Sequence, residues 1–461
     1  MAPIQWSGRN APKPLTNAID QAAQSPLSRR LTMIWLLGIV VLLPLDFVKL
    51  PLNMGLVDCW ILLALPILWL SFVRGSHIMN LSYAIAMWLI LVASFASTVA
   101  APSPRNSLIV ILKEVYTYVW FVTLTAVLVT LSARDFRRLL IVWSGIVFLH
   151  GLVIIAQFLS PDFWQFTTSL ANKSSEFEKY RASGLFLNAN SAAFFQALGF
   201  IPVVLASPSK KTAMILTVFL LPAMLATGSM GATVAFLGGL AVALTALFLI
   251  GRLGLIIKMF VQIAVVLAFL GALLYFIVSH NARYQEHFEH IFLGRAERSS
   301  GSRFDLWQRG FDAFLDHDVL LWGVGPENFR EVDAKMADNQ LHNDFLAFLV
   351  ERGLLGALGL GLFAAIAAGR ATYMVLIAHK YPDRAQLTVV VFLAAITAAT
   401  VESLTHQIFH FRALWLVLAL QEAMFFKMTT AEGGVEPTTR ALNGPLHDLS
   451  GFVVRPDVTS G

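Results

Sequence analysis

The chain has 461 residues, of which 57% are hydrophobic and only 13% are charged, and its mean hydropathy is +0.70. A soluble globular protein carries about twice that charged fraction, so the composition excludes a set of soluble domains. The formal net charge of +5 falls mostly in short connectors, with no basic stripe and interleaved aromatics. This arrangement indicates membrane orientation rather than a nucleic-acid partner.

The two ends of the chain are polar and are predicted to be cytoplasmic tails, at residues 1–30 and 428–461. The first apolar run follows Arg29 and Arg30, so the first membrane helix is expected to act as its own insertion signal. One cysteine, Cys59, cannot form an internal disulfide.

The body of the chain consists of apolar runs that are long enough to cross a bilayer, which takes about 20 mostly apolar residues. They predict an all-α, polytopic integral membrane protein with about twelve transmembrane helices. The first nine fall within 31–279 and the last three within 342–427. The predicted helices lie near 31–49, 56–73, 79–100, 107–132, 138–159, 189–207, 212–228, 231–250, 254–279, 343–368, 385–403 and 411–427.

Lysine and arginine are concentrated in every second connector, and that side of a membrane protein is usually cytoplasmic. Both termini are then cytoplasmic, and the loop at 280–341 lies on the outer side. This loop is the only sizeable soluble region in the prediction. It contains apolar residues at helical spacing, which predict an amphipathic helix at the membrane surface. These residues are Phe304, Leu306, Trp307, Phe311, Phe314 and Leu315, and a turn rich in Gly and Pro, GVGPENF, follows them.

The stretch LHNDFLAFLVERGLLG places His342 and Asn343 at the outer start of the tenth predicted helix. A neutral imidazole near pH 7 can take a proton from a hydroxyl group, so His342 is a candidate general base. The alternative is a histidine that only hydrates the end of a helix. Position alone does not decide between these two interpretations.

Arginines on the predicted outer side are candidates for binding phosphate, because guanidinium groups hold phosphate oxygens in bidentate geometry. The alternative for each of them is a solvated or headgroup-paired side chain. The set consists of Arg181, Arg295, Arg298, Arg303, Arg309, Arg330 and Arg412.

Two pairs of charged residues fall inside apolar runs, where charge is costly. Lys113 and Glu114 either line a polar cavity or form an ion pair with another helix. Glu351 and Arg352 either form a buried polar pair or lie at a shallow depth, because the helix breaks near Gly353. Both pairs of alternatives stay open at this stage.

Histidine pairs at helical spacing raise the question of a metal site. His406 and His410 are spaced i, i+4, and His287 and His290 are spaced i, i+3, which would place each pair on one helix face. Neither pair has an acidic third ligand in a known pattern, so no metal and no cofactor are predicted. His406 and Arg412 flank the outer turn between the last two helices and are expected to face the same cavity as His342.

Several of these stretches resemble the O-antigen ligase/polymerase superfamily, a group of bacterial polytopic membrane glycosyltransferases of the GT-C type. RASGLFLNANSAAFF and the turn TGSMG are similar to its first half. SRFDLWQRGFDAFLDHDVLLWGVGPENF and LHNDFLAFLVERGLLGALG are similar to its second half, and the order and spacing also agree. One position departs from the pattern, because many members have arginine where this chain has Met230.

The resemblance implies a metal-independent, inverting transfer at the periplasmic face of the bacterial inner membrane. The donor would be a glycan on undecaprenyl pyrophosphate, and the acceptor a sugar hydroxyl of lipid A-core in a ligase, or of another lipid-linked glycan in an O-antigen or exopolysaccharide polymerase. His342 would activate the acceptor, while Arg181 and Arg303 would hold the pyrophosphate. Further candidates for binding pyrophosphate or glycan are Asn343, Lys113, His406 and Arg412.

Two other classes of protein are weighed against this interpretation. A secondary transporter with about twelve helices would show internal repeats and discontinuous helices at the membrane midplane. No clear repeat is visible, and the long outer loop has no evident purpose in a transporter. A non-catalytic scaffold for an envelope complex would have no need of His342.

Overall fold

The computed structural model describes residues 26–45, 49–50, 54–68, 81–170, 181–207, 209–279, 294–316, 320–332, 341–380 and 383–432. These residues are mostly helical, with one antiparallel hairpin between β1 (Lys49–Leu50) and β2 (Met54–Gly55). The first eight helices are α1 Pro26–Leu42, α2 Leu56–Leu68, α3 Leu81–Val99, α4 Pro104–Thr130, α5 Ala133–Leu159, α6 Pro161–Leu170, α7 Ala189–Leu198 and α8 Phe200–Ala206. The next eight are α9 Lys210–Ala226, α10 Met230–Leu249, α11 Leu253–Ser279, α12 Gly294–Asp316, α13 Phe329–Val332, α14 Asp344–Ile377, α15 Asp383–Ser403 and α16 Arg412–Glu432.

Among the described residues, seven helical segments are long and apolar enough to cross a membrane. This confirms the prediction of an all-α polytopic membrane protein, while the count of twelve spans and the sidedness of the loop stay predictions. The segments are Ser82–Val99, Pro104–Thr130, Ala133–Leu159, Ala189–Ala206, Met230–Leu249, Asp344–Lys380 and Gln386–Ser403.

The boundaries of the predicted tails differ from the helices at both ends. Helix α1 begins at Pro26 and α16 continues to Glu432, so each helix extends a few residues into a segment that was predicted as tail. The remainder of the two tails, 1–25 and 433–461, lies outside the described residues. The same holds for 280–293, 317–319 and 333–340 of the predicted outer loop.

The amphipathic helix predicted in that loop is α12. Leu306 and Phe314 are buried against the start of α14, whereas Phe304, Phe311 and Leu315 are about half exposed or more. The Trp307 indole Nε1 donates to the Leu341 carbonyl at 3.1 Å and so ties α12 to the segment that precedes α14. The buried side of the helix is therefore narrower than the predicted apolar stripe.

Helix α14 is broken at Gly353, which has φ 65° and ψ −168°. An inserted segment, residues 320–325, takes up the backbone groups that the break leaves open. Val324 N donates to Val350 O at 3.0 Å, and Gly325 N donates to Glu351 O at 2.8 Å. On the other side of the break, Leu354 N donates to Leu320 O at 2.9 Å. The first part of the turn GVGPENF, at Val324 and Gly325, is therefore bonded into the break of the helix.

The break brings Arg352 into a buried ion-pair cluster. Its guanidinium lies 2.5 Å from the Glu114 carboxylate of α4 and 3.1 Å from the Glu351 carboxylate, and it also donates to Ser94 Oγ at 3.1 Å. Glu114 is fully buried and Arg352 is 2% exposed. The two charges therefore form a buried pair and the helix also breaks at Gly353, while the shallow depth expected from the break stays a prediction.

Replacement of Glu114 with alanine should lower the free energy of unfolding by about 3–5 kcal/mol, because it leaves Arg352 buried with one carboxylate fewer. The change can be measured by thermal unfolding of the purified protein in detergent. Arg138→Ala is the control, since it removes a partly exposed pair with Asp135 that is worth less than about 1 kcal/mol. Equal shifts in the two variants would contradict the assignment of a stabilising buried cluster.

Candidate active site

His342 lies directly before α14 in a backbone conformation that is uncommon for a residue with a side chain. Its φ is 50°, in the left-handed region, which costs of order 1–3 kcal/mol and persists only where neighbouring contacts hold it. The contacts lie on both sides: Leu341 O accepts the Trp307 indole bond, and Asn343 Oδ1 accepts from Leu346 N at 3.0 Å. Asn343, predicted to bind substrate, is thus the residue that caps α14.

His406 lies beside His342, with the two rings stacked at a centroid distance of 5.6 Å and an angle of 12°. The Asp344 carboxylate, two residues after His342, accepts from Ile408 N at 2.9 Å and from Phe409 N at 3.1 Å. It therefore fixes the connection between α15 and α16, which carries His406, to the start of α14.

The prediction that His406 and His410 share a helix face is wrong. Helix α15 ends at Ser403 and α16 begins at Arg412, so both histidines lie in the turns between them. Two backbone amides of this connection, those of Ile408 and Phe409, donate to the Asp344 carboxylate. The other pair, His287 and His290, lies outside the described residues.

Both stacked histidines are neutral at pH 7. Burial, and then the charges of Arg303 and Arg330, lower the pKa of His342 to about 4. Burial, and then His342, Arg303 and Arg181, lower the pKa of His406 to about 3. The Nδ1 atom of each ring is buried and has no hydrogen-bond partner among the described residues. Each neutral ring has one nitrogen that can accept a proton or a hydrogen bond from a hydroxyl group.

Arg181 is held rigidly at the edge of this site. Its Nε donates to Thr227 O at 3.1 Å, and its Nη2 donates to Asn190 Oδ1 at 2.7 Å. The chain after it is fixed by Gln157 of α5, whose Oε1 accepts from Ser183 N at 3.0 Å and Gly184 N at 2.8 Å. The RASG stretch and the TGS turn thus meet through Arg181, which leaves little entropy to lose on binding an anion.

Arg303 reaches the site from α12. Burial lowers the pKa of its guanidinium and the Glu402 carboxylate opposes this effect, but an arginine stays charged in proteins. Glu402 is 1% exposed, and its Oε2 has no hydrogen-bond partner within the described ranges. The site therefore combines two neutral histidines with the positive charges of Arg181, Arg303 and Arg330, which suits an anionic ligand.

Lys113 and Arg412 belong to a second polar group, centred on His410. The Arg412 Nε lies 2.6 Å from Asp58 Oδ1, and another of its nitrogens donates to His410 O. Burial, and then Arg412, Arg352 and Lys113, lower the pKa of His410 well below its usual value. The sequence expectation placed Arg412 with His342, whereas the structure pairs Arg412 with Asp58.

Two residues of the site, Asp344 and Glu402, were not among the candidates from the sequence, and Arg330 was not distinguished among them. Arg330 belonged to the outer arginine set, but no local pattern distinguished it from the others. Asp344 stands two residues after His342, and Glu402 stands four residues before His406, so each is close in sequence to a candidate histidine. The Met230 side chain is 49% exposed at the start of α10, so it adds no charge to the site.

Two comparisons bear on the family of this chain. No curated protein matches it. Residues 215–361 match the family model for O-antigen ligase. The matched segment contains the TGS turn, Arg303, Arg330, His342 and the break at Gly353, whereas Arg181 and His406 lie outside it. Together with the motifs gathered at the site, this match supports a relationship between the chain and the O-antigen ligase superfamily.

Proposed function

We propose that the protein transfers a glycan from undecaprenyl pyrophosphate to a sugar hydroxyl at the periplasmic face of the bacterial inner membrane, as an O-antigen ligase with lipid A-core as acceptor. The match to the O-antigen ligase family model supports the coarser statement, a membrane glycosyltransferase-like role in polysaccharide assembly. The proposal of transfer from a pyrophosphate donor rests on the set of three arginines around two stacked neutral histidines.

The chemistry follows from the charges of the site. His342 takes the proton of the acceptor hydroxyl as its oxygen attacks the anomeric carbon of the donor sugar. A carbon–oxygen bond forms on one face, and the bond to the pyrophosphate oxygen breaks on the other, which inverts the anomeric configuration. The pyrophosphate leaves as an anion, and the guanidinium groups of Arg181 and Arg303 stabilise the charge that develops on it.

The structure favours different roles for the remaining residues that were predicted to bind substrate. His406 stacks on His342 and offers a second neutral ring to the acceptor sugar. Asn343 contributes through the helix cap that positions His342. For Arg412 the ion pair with Asp58 supports a structural role better than direct contact with pyrophosphate, and Lys113 lies in that same second group.

The broken helix bears on the transporter alternative, because discontinuous helices are a feature of transporters. In a transporter the freed backbone groups line the substrate site at the midplane. Here residues 320–325 occupy the break and bond to both sides of it. The backbone groups at Gly353 are therefore hydrogen-bonded within the protein and do not line a substrate site. This favours an enzyme over a transporter.

Purified protein in lipid vesicles tests the function and separates ligase from polymerase. With donor and lipid A-core, a ligase attaches the glycan to the core and leaves the donor glycan unextended when the core is omitted. Extension of the glycan with donor alone would make the protein a polymerase. Absence of both products would contradict the proposal.

Replacement of Arg181 or Arg303 with alanine should lower kcat/KM for the donor by about ten- to a hundredfold, because each removes charge-assisted hydrogen bonds to the pyrophosphate. Initial rates at varied donor concentration measure the effect. Arg105→Ala removes an exposed arginine near the start of α4 and serves as control. A similar loss in all three variants would show a general charge effect and contradict the assignment.

A further inference from the structure

Arg330 stands on a short helix that is anchored more firmly than its length suggests. Asn328, just before α13, is fully buried. Its Nδ2 donates to Ser107 Oγ at 2.7 Å and to Pro326 O at 2.9 Å, and its Oδ1 accepts from Ser103 N at 2.7 Å. The start of α13 is therefore fixed to the start of α4.

The same stretch is also fixed to α14. The backbone bonds from Val324 and Gly325 to the last turn before Gly353 lie only a few residues ahead of α13. His342 lies directly before the other end of that helix segment. Two sets of hydrogen bonds therefore hold the backbone just before α13 in a fixed position relative to the start of α4 and the break in α14.

The charge of the Arg330 side chain acts on the site, and one of its nitrogens is unsatisfied among the described residues. Its charge is one of the causes that lower the pKa of His342. Its Nε is buried and has no hydrogen-bond partner in the part of the chain that the structure describes. By contrast, Arg303 is faced by Glu402, and Arg181 donates to Thr227 and Asn190. A buried guanidinium nitrogen without an acceptor is costly, and an anionic ligand would remove that cost.

We propose that Arg330 is a third arginine that contacts the pyrophosphate of the donor, and that donor binding strengthens His342 as a base by neutralising Arg330 and Arg303. This inference rests on the proposed function and goes beyond it by setting an order, in which the donor binds before the acceptor is deprotonated. Without a bound donor, His342 is a weak base. The acceptor hydroxyl is therefore activated only when the pyrophosphate of the donor is bound.

The groups around His342 set the direction of the effect. His406 is neutral, Asp344 is bonded to Ile408 and Phe409, and Glu402 acts on Arg303. Arg181 acts on His406. The positive charges that lower the pKa of His342 are those of Arg303 and Arg330, so an anion bound to them raises this pKa from about 4 toward the ordinary value of histidine.

The first test measures the binding of inorganic pyrophosphate to the purified full-length protein by isothermal titration calorimetry. Arg330→Ala should weaken binding about tenfold or more, and Arg330→Lys should restore part of it because the charge is kept. Arg105→Ala should bind as the wild type does. Unchanged affinity in Arg330→Ala would overturn the inference, while a loss of affinity in Arg181→Ala and Arg303→Ala in the same series would leave the proposed function standing.

The second test follows the protonation of His342 itself. Diethyl pyrocarbonate reacts with neutral imidazole, so the pH dependence of its reaction at His342, read by mass spectrometry of the peptide, reports the pKa. Pyrophosphate should move the midpoint upward in the wild type. Arg330→Ala should move it upward without pyrophosphate, and the exposed His379 should show neither shift. An unmoved midpoint at His342 in Arg330→Ala would overturn the coupling.

Discussion

Replacement of His342 with alanine should reduce glycan transfer by about 10²- to 10⁴-fold, the contribution that a positioned general base makes to a rate. The backbone of His342 is in the left-handed region, which alanine tolerates less well than histidine does. His342→Asn is therefore a useful second variant, because asparagine accepts this conformation but does not act as a base near pH 7.

Initial rates of purified protein in vesicles measure the effect, with thermal unfolding as a check on folding. His379→Ala is the matched control, because His379 is an exposed histidine beyond the far end of α14. It should leave the rate unchanged. Rates close to those of the wild type in both His342 variants would remove His342 from the role of base.

Replacement of Gly353 with alanine should lower the free energy of unfolding by at least about 3 kcal/mol. The combination of φ 65° and ψ −168° belongs to a region that is essentially confined to glycine. An added Cβ would lie 2.3 Å from the carbonyl carbon and oxygen of Leu321, and these are backbone atoms that cannot rotate away. The clash would push residues 320–325 out of the break and disturb the Glu351–Arg352 pair.

Gly361 provides the control, because it lies in the same helix beyond the break and a Cβ there meets no atom within 4 Å. Gly361→Ala should leave stability unchanged or raise it by about 0.5–1 kcal/mol, since alanine is the better helix former. Thermal unfolding of both variants in one detergent compares them. Equal melting temperatures would show that the break at Gly353 is not required.

The class of fold could be predicted from the sequence, because apolar runs long enough to cross a bilayer directly indicate transmembrane helices. The break at Gly353 was one of two open alternatives, since a glycine within an apolar run fits both a continuous and a broken helix. Its cause lies in residues 320–325, which a local pattern does not connect to α14. The partner of Arg352 was likewise not predictable from a local pattern, because Glu114 stands 238 positions away in the sequence.

The sequence also predicted part of the site but not all of it. Topology and the family resemblance placed His342, His406, Arg181 and Arg303 among the candidates, and the structure gathers these four. Topology also placed Arg412 in this site. The predicted side of the membrane does not specify which cavity on that side a residue lines. The contacts that separate the two groups, Asp58 with Arg412 and Asp344 with the turn after His406, join distant parts of the chain.

The central claim is that His342 activates an acceptor for a single displacement of pyrophosphate from the donor sugar. The most direct measurement is the anomeric configuration of the new glycosidic bond, determined by nuclear magnetic resonance on product made by the purified protein, together with the release of undecaprenyl pyrophosphate. The account predicts one pyrophosphate released for each bond formed, an inverted configuration, and unchanged turnover when EDTA is added. A retained configuration, or turnover that EDTA abolishes, would contradict it.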